Sequence, residues 1–367
     1  MSVRSVSRRG PIKSKLSKIL VAGVLVGGVS LCGGCRAADK PVTDAASPAP
    51  SPVVSAITAN SIDQIQTVFK HAQDAIVKIE AVDDSGHLCG TGFFIDPNGT
   101  IYTAYSVGGE SRDIVVIRGD KKYPATRLIG DPRSGIAILK IETSSPFIPV
   151  AKTNDLTTAT PVLAVGYPVD LPLTPSFGVV GGLDWNYLGH PLVTTHIRAN
   201  VAVQRGEGGA PLLNLKGEVV GIVLVSLDYG TGCYAFPIEA AEKIRMDYVR
   251  FGQIRPGWLG IHVNLPDSAI NTGTSAVQVS DLLDETPAAK SGLKQGDILL
   301  QIGEKKISSP QDVLNASFFL TAGEEVPVTV MRDNTKLTIK VQPMLHPGAP
   351  KELPYQNFTG LPLRMQP

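Results

Sequence analysis

Aromatic side chains are scarce in this chain, at 6% of 367 residues, and only four cysteines and six histidines occur. Two of the cysteines, Cys32 and Cys35, fall in an N-terminal apolar run. That leaves Cys89 and Cys233 as the one pair that an oxidising compartment could join. Nowhere do His, Cys, Asp and Glu cluster at metal-ligand spacing, so neither a metal nor another cofactor is expected. The net charge of +1 hides an asymmetry: residues 1–34 hold Arg4, Arg8, Arg9, Lys13, Lys15 and Lys18 and no acid. The remainder has 28 basic against 33 acidic residues, a net −5, and lacks the basic excess that a nucleic-acid partner requires. The N-terminal uncharged run, 19–34, is too short for a comfortable membrane span.

What the chain does have is glycine and proline, 37 and 28 residues, high but short of the level that marks a disordered chain. Its length predicts two or three domains with ample buried core. Short β-branched runs between turn residues predict that these domains are β-rich. The basic head followed by the apolar run has the proportions of a secretory signal, so export is expected. Leu31-Cys32-Gly33-Gly34-Cys35 resembles a bacterial lipobox with Cys35 as the lipidated residue, although Cys32 stands where leucine is usual; cleavage near Ala37–Ala38 is the alternative. Ser7-Arg8-Arg9 resembles a twin-arginine signal only faintly. Residues 35–60, rich in Ala, Pro and Ser, read as a flexible tether.

Ser61 reads as the cap of a helix with apolar positions Ile62, Ile65, Val68 and Phe69. Strands are predicted at 76–82, 92–95, 101–105, 113–117, 123–128 and 136–141, then at 162–167, 177–180, 192–203, 218–226 and 233–236. Two all-β units without intervening helices predict two antiparallel barrels, of about six strands each, over 61–150 and 151–252. A helix from 238 to about 251, with apolar positions Ala240, Ala241, Ile244 and Val249, closes them. In 253–345, Thr286-Pro287 and Ser309-Pro310 start two helices, the second over 311–320, and strands follow at 326–332 and 336–341. The tail 346–367 is Pro-rich and carries no readable pattern.

The informative stretch is Gln204-Arg205-Gly206-Glu207-Gly208-Gly209-Ala210-Pro211-Leu212. A phosphate loop would need a helix after the glycines, and Pro211 and a strand follow instead. The other reading is a tight loop whose N–H groups converge as an oxyanion hole requires. Here the chain resembles the HtrA/Deg-type trypsin-like serine proteases, whose pattern is G-N-S-G-G-P-L. Gly90-Thr91-Gly92-Phe93-Phe94-Ile95-Asp96-Pro97-Asn98-Gly99, Asp131-Pro132-Arg133 with Ile136–Ile141, and Tyr234-Ala235-Phe236-Pro237-Ile238 resemble further family motifs in the same order. Arg255-Pro256-Gly257-Trp258-Leu259-Gly260-Ile261 resembles the carboxylate-binding loop of a family PDZ domain, and 296–299 and 303–307 continue that pattern. The resemblance therefore implies a mainly β protein: two barrels followed by one PDZ domain. It places Cys89 and Cys233 in different barrels, as buried free thiols rather than a pair.

A trypsin-like site needs a serine to attack, a histidine to take its proton and an aspartate to orient the histidine. At the positions that the motifs assign to these groups stand Gly208, Ser106 and Gly135. Dismantling a triad costs on the order of a millionfold in turnover. No substitute is evident: His87 shares a strand face with Cys89, and His196 reads as structural. Gly206, Glu207 and Gly208 would form a residual oxyanion loop, with the Glu207 carboxylate opposing negative charge unless Arg205 neutralises it. The expectation is an inactive exported protein that captures unfolded polypeptides or protein C-termini, with Trp258, Leu259, Gly260 and Ile261 at the peptide, or that regulates a partner protease. An active envelope endopeptidase of the same family and a purely structural envelope scaffold are the alternatives. The resemblance also leaves a homotrimer open, and membrane contact only through a lipid on Cys35.

Overall fold

The computed structural model describes residues 52–152, 156–187, 190–227, 230–266, 276–345 and 363–364. Helix α1 spans Pro52–Ala72. It begins nine residues before Ser61, so Ser61 lies inside the helix and does not cap it, and the tether reading fails over 52–60. Ala56, Ile57 and Ala59 are helix-compatible, and Pro52 fits a first-turn position. Val68 and Ala72 are buried, and Ile65 and Phe69 pack on the core; Ile62 stays exposed.

Seven strands follow: β1 Ile76–Asp83, β2 Gly86–Phe94, β3 Thr100–Ala104, β4 Arg112–Arg118, β5 Lys121–Pro124, β6 Thr126–Asp131 and β7 Ile136–Lys140. They form one antiparallel sheet in the order β5-β4-β1-β2-β3-β7-β6, and helix α2, Tyr105–Gly108, interrupts it after β3. Strands β8 Pro161–Gly166, β9 Thr174–Tyr187, β10 His190–Asn200, β11 Pro211–Leu213, β12 Val219–Leu227 and β13 Gly232–Pro237 close a barrel in the order β10-β13-β12-β11-β8-β9. The two trypsin-like β units predicted from sequence are thus present. Strand alternation sets their packing. In β8, Val162 and Ala164 fill the second barrel, whereas Leu163 and Val165 join the core of the first. Burial on both faces explains the unbroken apolar run in β12. Cys89 and Cys233 are buried free thiols, as expected.

Helix α3, Ile238–Phe251, buries Ile238, Ala240, Ala241 and Ile244, but Val249 is 64% exposed, against the sequence reading. At 100° per residue, position 249 lies off the stripe through 240, 241 and 244, and Asp247 takes the inward place. The last domain contains β14 Gly257–Trp258, β15 Ile261–Asn264, β16 Val277–Leu282, α4 Pro287–Ser291, β17 Ile298–Ile302, β18 Lys305–Lys306, α5 Pro310–Phe318, β19 Val326–Arg332, β20 Thr335–Val341 and β21 Met344–Leu345. Its main sheet runs β15-β16-β17-β19-β20, so β15 is an edge. Ser309 and Asp312 form a capping box that starts α5. A further two-residue strand, β22 at Leu363–Arg364, lies in the tail and pairs with β2.

The last domain is fastened to the second barrel. Asp247 accepts from Thr321 Oγ1 at 2.9 Å and from the Arg255 N–H at 3.1 Å, and it pairs with Lys243 at 2.5 Å. Asn315 of α5 accepts from Thr194 Oγ1 at 2.5 Å, Phe318 meets Phe236 edge-on, and Lys305 reaches Glu239 at 2.7 Å. One wall of the terminal domain is therefore braced by β10 and β13.

Candidate functional site

The three positions that the motifs assign to a triad, Ser106, Gly135 and Gly208, lie close together. The Tyr105 N–H donates to the Gly135 carbonyl at 2.7 Å, which sets residue 135 against the turn that carries Ser106. Thr91 N–H donates to the Gly208 carbonyl at 3.0 Å. A Cβ added to Gly209 would lie 2.2 Å from Thr91 O, 2.4 Å from Thr103 Oγ1 and 2.7 Å from Ala104 N, so only glycine lets the 206–210 loop press onto β2 and β3. Gly206, Gly209 and Gly135 all have positive φ, at 94°, 87° and 76°. The backbone thus sets the turn that carries Ser106, residue 135 and the 206–210 loop beside one another.

Thr91, fully buried, does the joining, and the sequence reading passed over it. Its hydroxyl donates to Gly206 O at 2.8 Å and accepts from Tyr167 N–H at 3.1 Å, linking the first sheet to two segments of the second barrel. The only sequence signal was its place between Gly90 and Gly92. Around the loop, Ala210 N–H and Gly209 N–H donate to Glu207 O and Val223 O. Among the described residues, the Gly206 and Gly208 N–H groups donate to no protein acceptor.

Glu207 departs from expectation. Its side chain is turned inward and 1% exposed, with Cγ where a Cβ on residue 166 would be 3.0 Å away, so Gly166 makes its room. Oε2 accepts from the Gln204 N–H at 2.6 Å, and Oε1 has no partner. Arg205 is exposed, and among the described residues no salt bridge joins it to Glu207. Burial raises the Glu207 carboxyl from 4.5 to about 7, against the smaller opposing effect of the Gln204 N–H. His196 is a core residue, as the sequence suggested: Nδ1 lies 2.8 Å from Thr194 O, the ring meets Phe236 edge-on, and burial lowers it to about 4.

These two groups give opposite pH slopes. The Glu207 carboxyl favours the fold below pH 4.5, and this contribution is lost as pH rises through about 7. At 1.36 kcal/mol per unit, the span is roughly 3 kcal/mol. His196 loses stability as pH falls from 6.5 toward 4, equally with or without Glu207. Glu207→Gln should therefore gain on the wild type by about that amount between pH 4.5 and 8 in urea denaturation. A pH-independent difference would show that the carboxyl does not ionise in this window.

At the second candidate site, Leu259 is 2% exposed and belongs to the domain core, so only its backbone can face a ligand. Gly260 has φ +79°, and a Cβ there would lie 2.4 Å from Thr286 Cβ. Leu283 N–H and Ala288 N–H take the carbonyls of Gly260 and Leu259 at 3.1 and 3.0 Å. The N–H groups of Leu259 and Gly260, among the described residues, donate to no protein acceptor. Ile261 and Val263 pack partly buried on the cluster that holds Val313 and Ala316 of α5. Trp258 instead sits in the β14–β21 ribbon opposite Met344. Cys35 lies outside the described residues.

Residues 90–222 match the family model of the trypsin-like peptidase domain, and residues 257–342 match that of the PDZ domain. A "Probable periplasmic serine endoprotease DegP-like" of Ectopseudomonas mendocina (strain ymp) is 31% identical over 263 residues, 69% of this chain and 55% of the relative. The chain is of the HtrA/DegP type, a trypsin-like domain followed by a PDZ domain. A relative of the same name from Chlamydia pneumoniae is 29% identical over 289 residues, 76% of this chain and 58% of the relative. This HtrA-type chain thus spans little more than half the length of the curated relatives it matches. Among solved structures, an "HtrA-type protease AlgW with tripeptide" shares the fold at a TM-score of 0.63 and 23% identity, covering 77% of this chain and 97% of that one.

Proposed function

We propose that this is an exported, catalytically silent HtrA-type protein that holds extended polypeptides or protein C-termini, with domain limits at 61–252 for the barrels and 253–345 for the PDZ domain. One observation carries the proposal. The backbone brings Ser106, Gly135 and Gly208 close together, which supports reading them as the triad positions, and none of these residues can attack a carbonyl with a base beside it. Relatives named as periplasmic favour export, and Cys35 is the residue we assign to a lipid anchor. Similar structures were solved with a tripeptide and a decapeptide, which favours a peptide ligand here too.

In the groove, free N–H groups around Leu259 and Gly260 would receive a carboxylate, and the peptide would add as a strand beside the β15 edge. Calorimetry on the full chain tests this. A peptide ending in an apolar residue with a free carboxylate should bind near the micromolar range, and amidation should weaken it by about 1.5–3 kcal/mol, the value of a charge-assisted hydrogen bond. Gly260→Pro should abolish binding, because proline holds φ near −65° where the loop needs +79°. Equal affinity for free-acid and amidated peptides would remove the PDZ groove from the proposal.

A further inference from the structure

The tail segment β22 pairs antiparallel with β2, with Leu88 opposite Arg364 and Cys89 opposite Leu363. The place where it pairs is what matters. One edge of β2 is covered by β1 over residues 86–93. The other edge is filled in succession: β3 covers residues 92–94, and the Gly208 carbonyl takes the N–H of Thr91. β22 then covers residues 88–89. By strand alternation, Cys89 turns its N–H and C=O to the same edge as Thr91. The tail therefore continues a row of backbone hydrogen bonds that the degenerate nucleophile loop begins, two residues away.

The face is informative too. Leu88, opposite Ala81, belongs to the barrel core, whereas Cys89 lies opposite Glu80 and shares its face with Thr91, the residue that reaches across to the second barrel. We infer that residues 363–364 are an internal ligand of the barrel cleft. They occupy the β2 edge beside Gly208 as an extended chain would, and they exclude other extended polypeptides from it. The inference is independent of the PDZ groove. Seventeen residues separate Leu345 from Leu363, about 55–60 Å when extended, which exceeds the width of a small domain and permits pairing within one chain.

Two experiments on the full chain decide it. In the first, Leu363→Cys is oxidised and mapped by mass spectrometry. Directly opposed Cα atoms in a hydrogen-bonded antiparallel pair stand about 5.5 Å apart, within disulfide reach. A disulfide between Cys89 and the thiol introduced at position 363, within a monomer, is expected. Arg364→Cys should give at least about fivefold less, because position 364 belongs to the other face of the strand. No bond to Cys89, or a bond only between two chains, would overturn the inference.

The second experiment measures binding of a fluorescent, C-terminally amidated peptide of residues 357–367. Leu363→Pro removes the tail's N–H opposite Cys89 and should bind this peptide at least about tenfold more tightly than the wild type, whose own tail competes at high effective concentration. Equal binding, or none by either chain, would refute it. Adding Gly260→Pro should leave the binding unchanged. Its loss would move the site to the PDZ groove and overturn this inference while sparing the groove proposal.

Discussion

Gly208→Ser alone should yield no protease: no turnover of an unfolded casein-like substrate and no labelling by a fluorophosphonate probe. The new hydroxyl would face Ser106 and Gly135, which offer it neither a base nor an orienter. Ser106→His and Gly135→Asp added together should raise turnover over the single variant by roughly two to three orders of magnitude, short of the millionfold between an intact and a dismantled triad. The shortfall has two structural causes. Residue 135 has φ +76°, a left-handed conformation that costs an L-residue roughly 1–2 kcal/mol, with aspartate among those that tolerate it best. Glu207, buried beside the loop, opposes an oxyanion once it ionises above about pH 7. Strong turnover from Gly208→Ser by itself would show that another residue already acts as base, and would end the proposal of a silent centre.

Asp247→Ala should be the most destabilising single change at the junction, by roughly 3–5 kcal/mol, the usual cost of leaving a buried partner charge alone. Lys243 is 12% exposed, and burial lowers its pKa while the bond to Asp247 works against that shift. The same carboxylate also holds Thr321 and the Arg255 N–H, so its loss frees the PDZ domain. Replacing both members, as Lys243→Met with Asp247→Leu, separates the two roles. The double variant should regain most of the stability in denaturation, because no charge is stranded. It should still be cut faster than wild type by protease near residues 252–256, because the bridge is gone. Equal stability of single and double variants would show that the ion pair is not what Asp247 contributes.

The candidate triad positions are read from the sequence because each sits at a fixed offset inside a short motif. Gly90–Gly99, Asp131–Ile141 and the Gly206 loop locate Ser106, Gly135 and Gly208 without any long-range information. The alternating strands and the Gly/Pro turns likewise announced two β units, since a period of two is a local property of the chain, whereas the PDZ domain was read from the resemblance of Arg255–Ile261 to a carboxylate-binding loop. The helix errors were also local. Val249 lies off the stripe that a 100° turn per residue gives, and Ser61 lies inside a helix that begins at Pro52 and so cannot cap it.

The sequence by itself determined the order of the domains and singled out Ser106, Gly135 and Gly208 as the candidate positions. Only the tertiary structure decided what surrounds them. Glu207 turns inward because residue 166, 41 positions away, has no Cβ, and no local pattern encodes that vacancy. Thr91 became a link between barrels, and Asp247 a clasp for the PDZ domain, because their partners are distant in sequence. The two residues of β22 carry no periodicity of their own. Their strand conformation comes from the unpaired edge of β2, which exists only after the first sheet has formed around it.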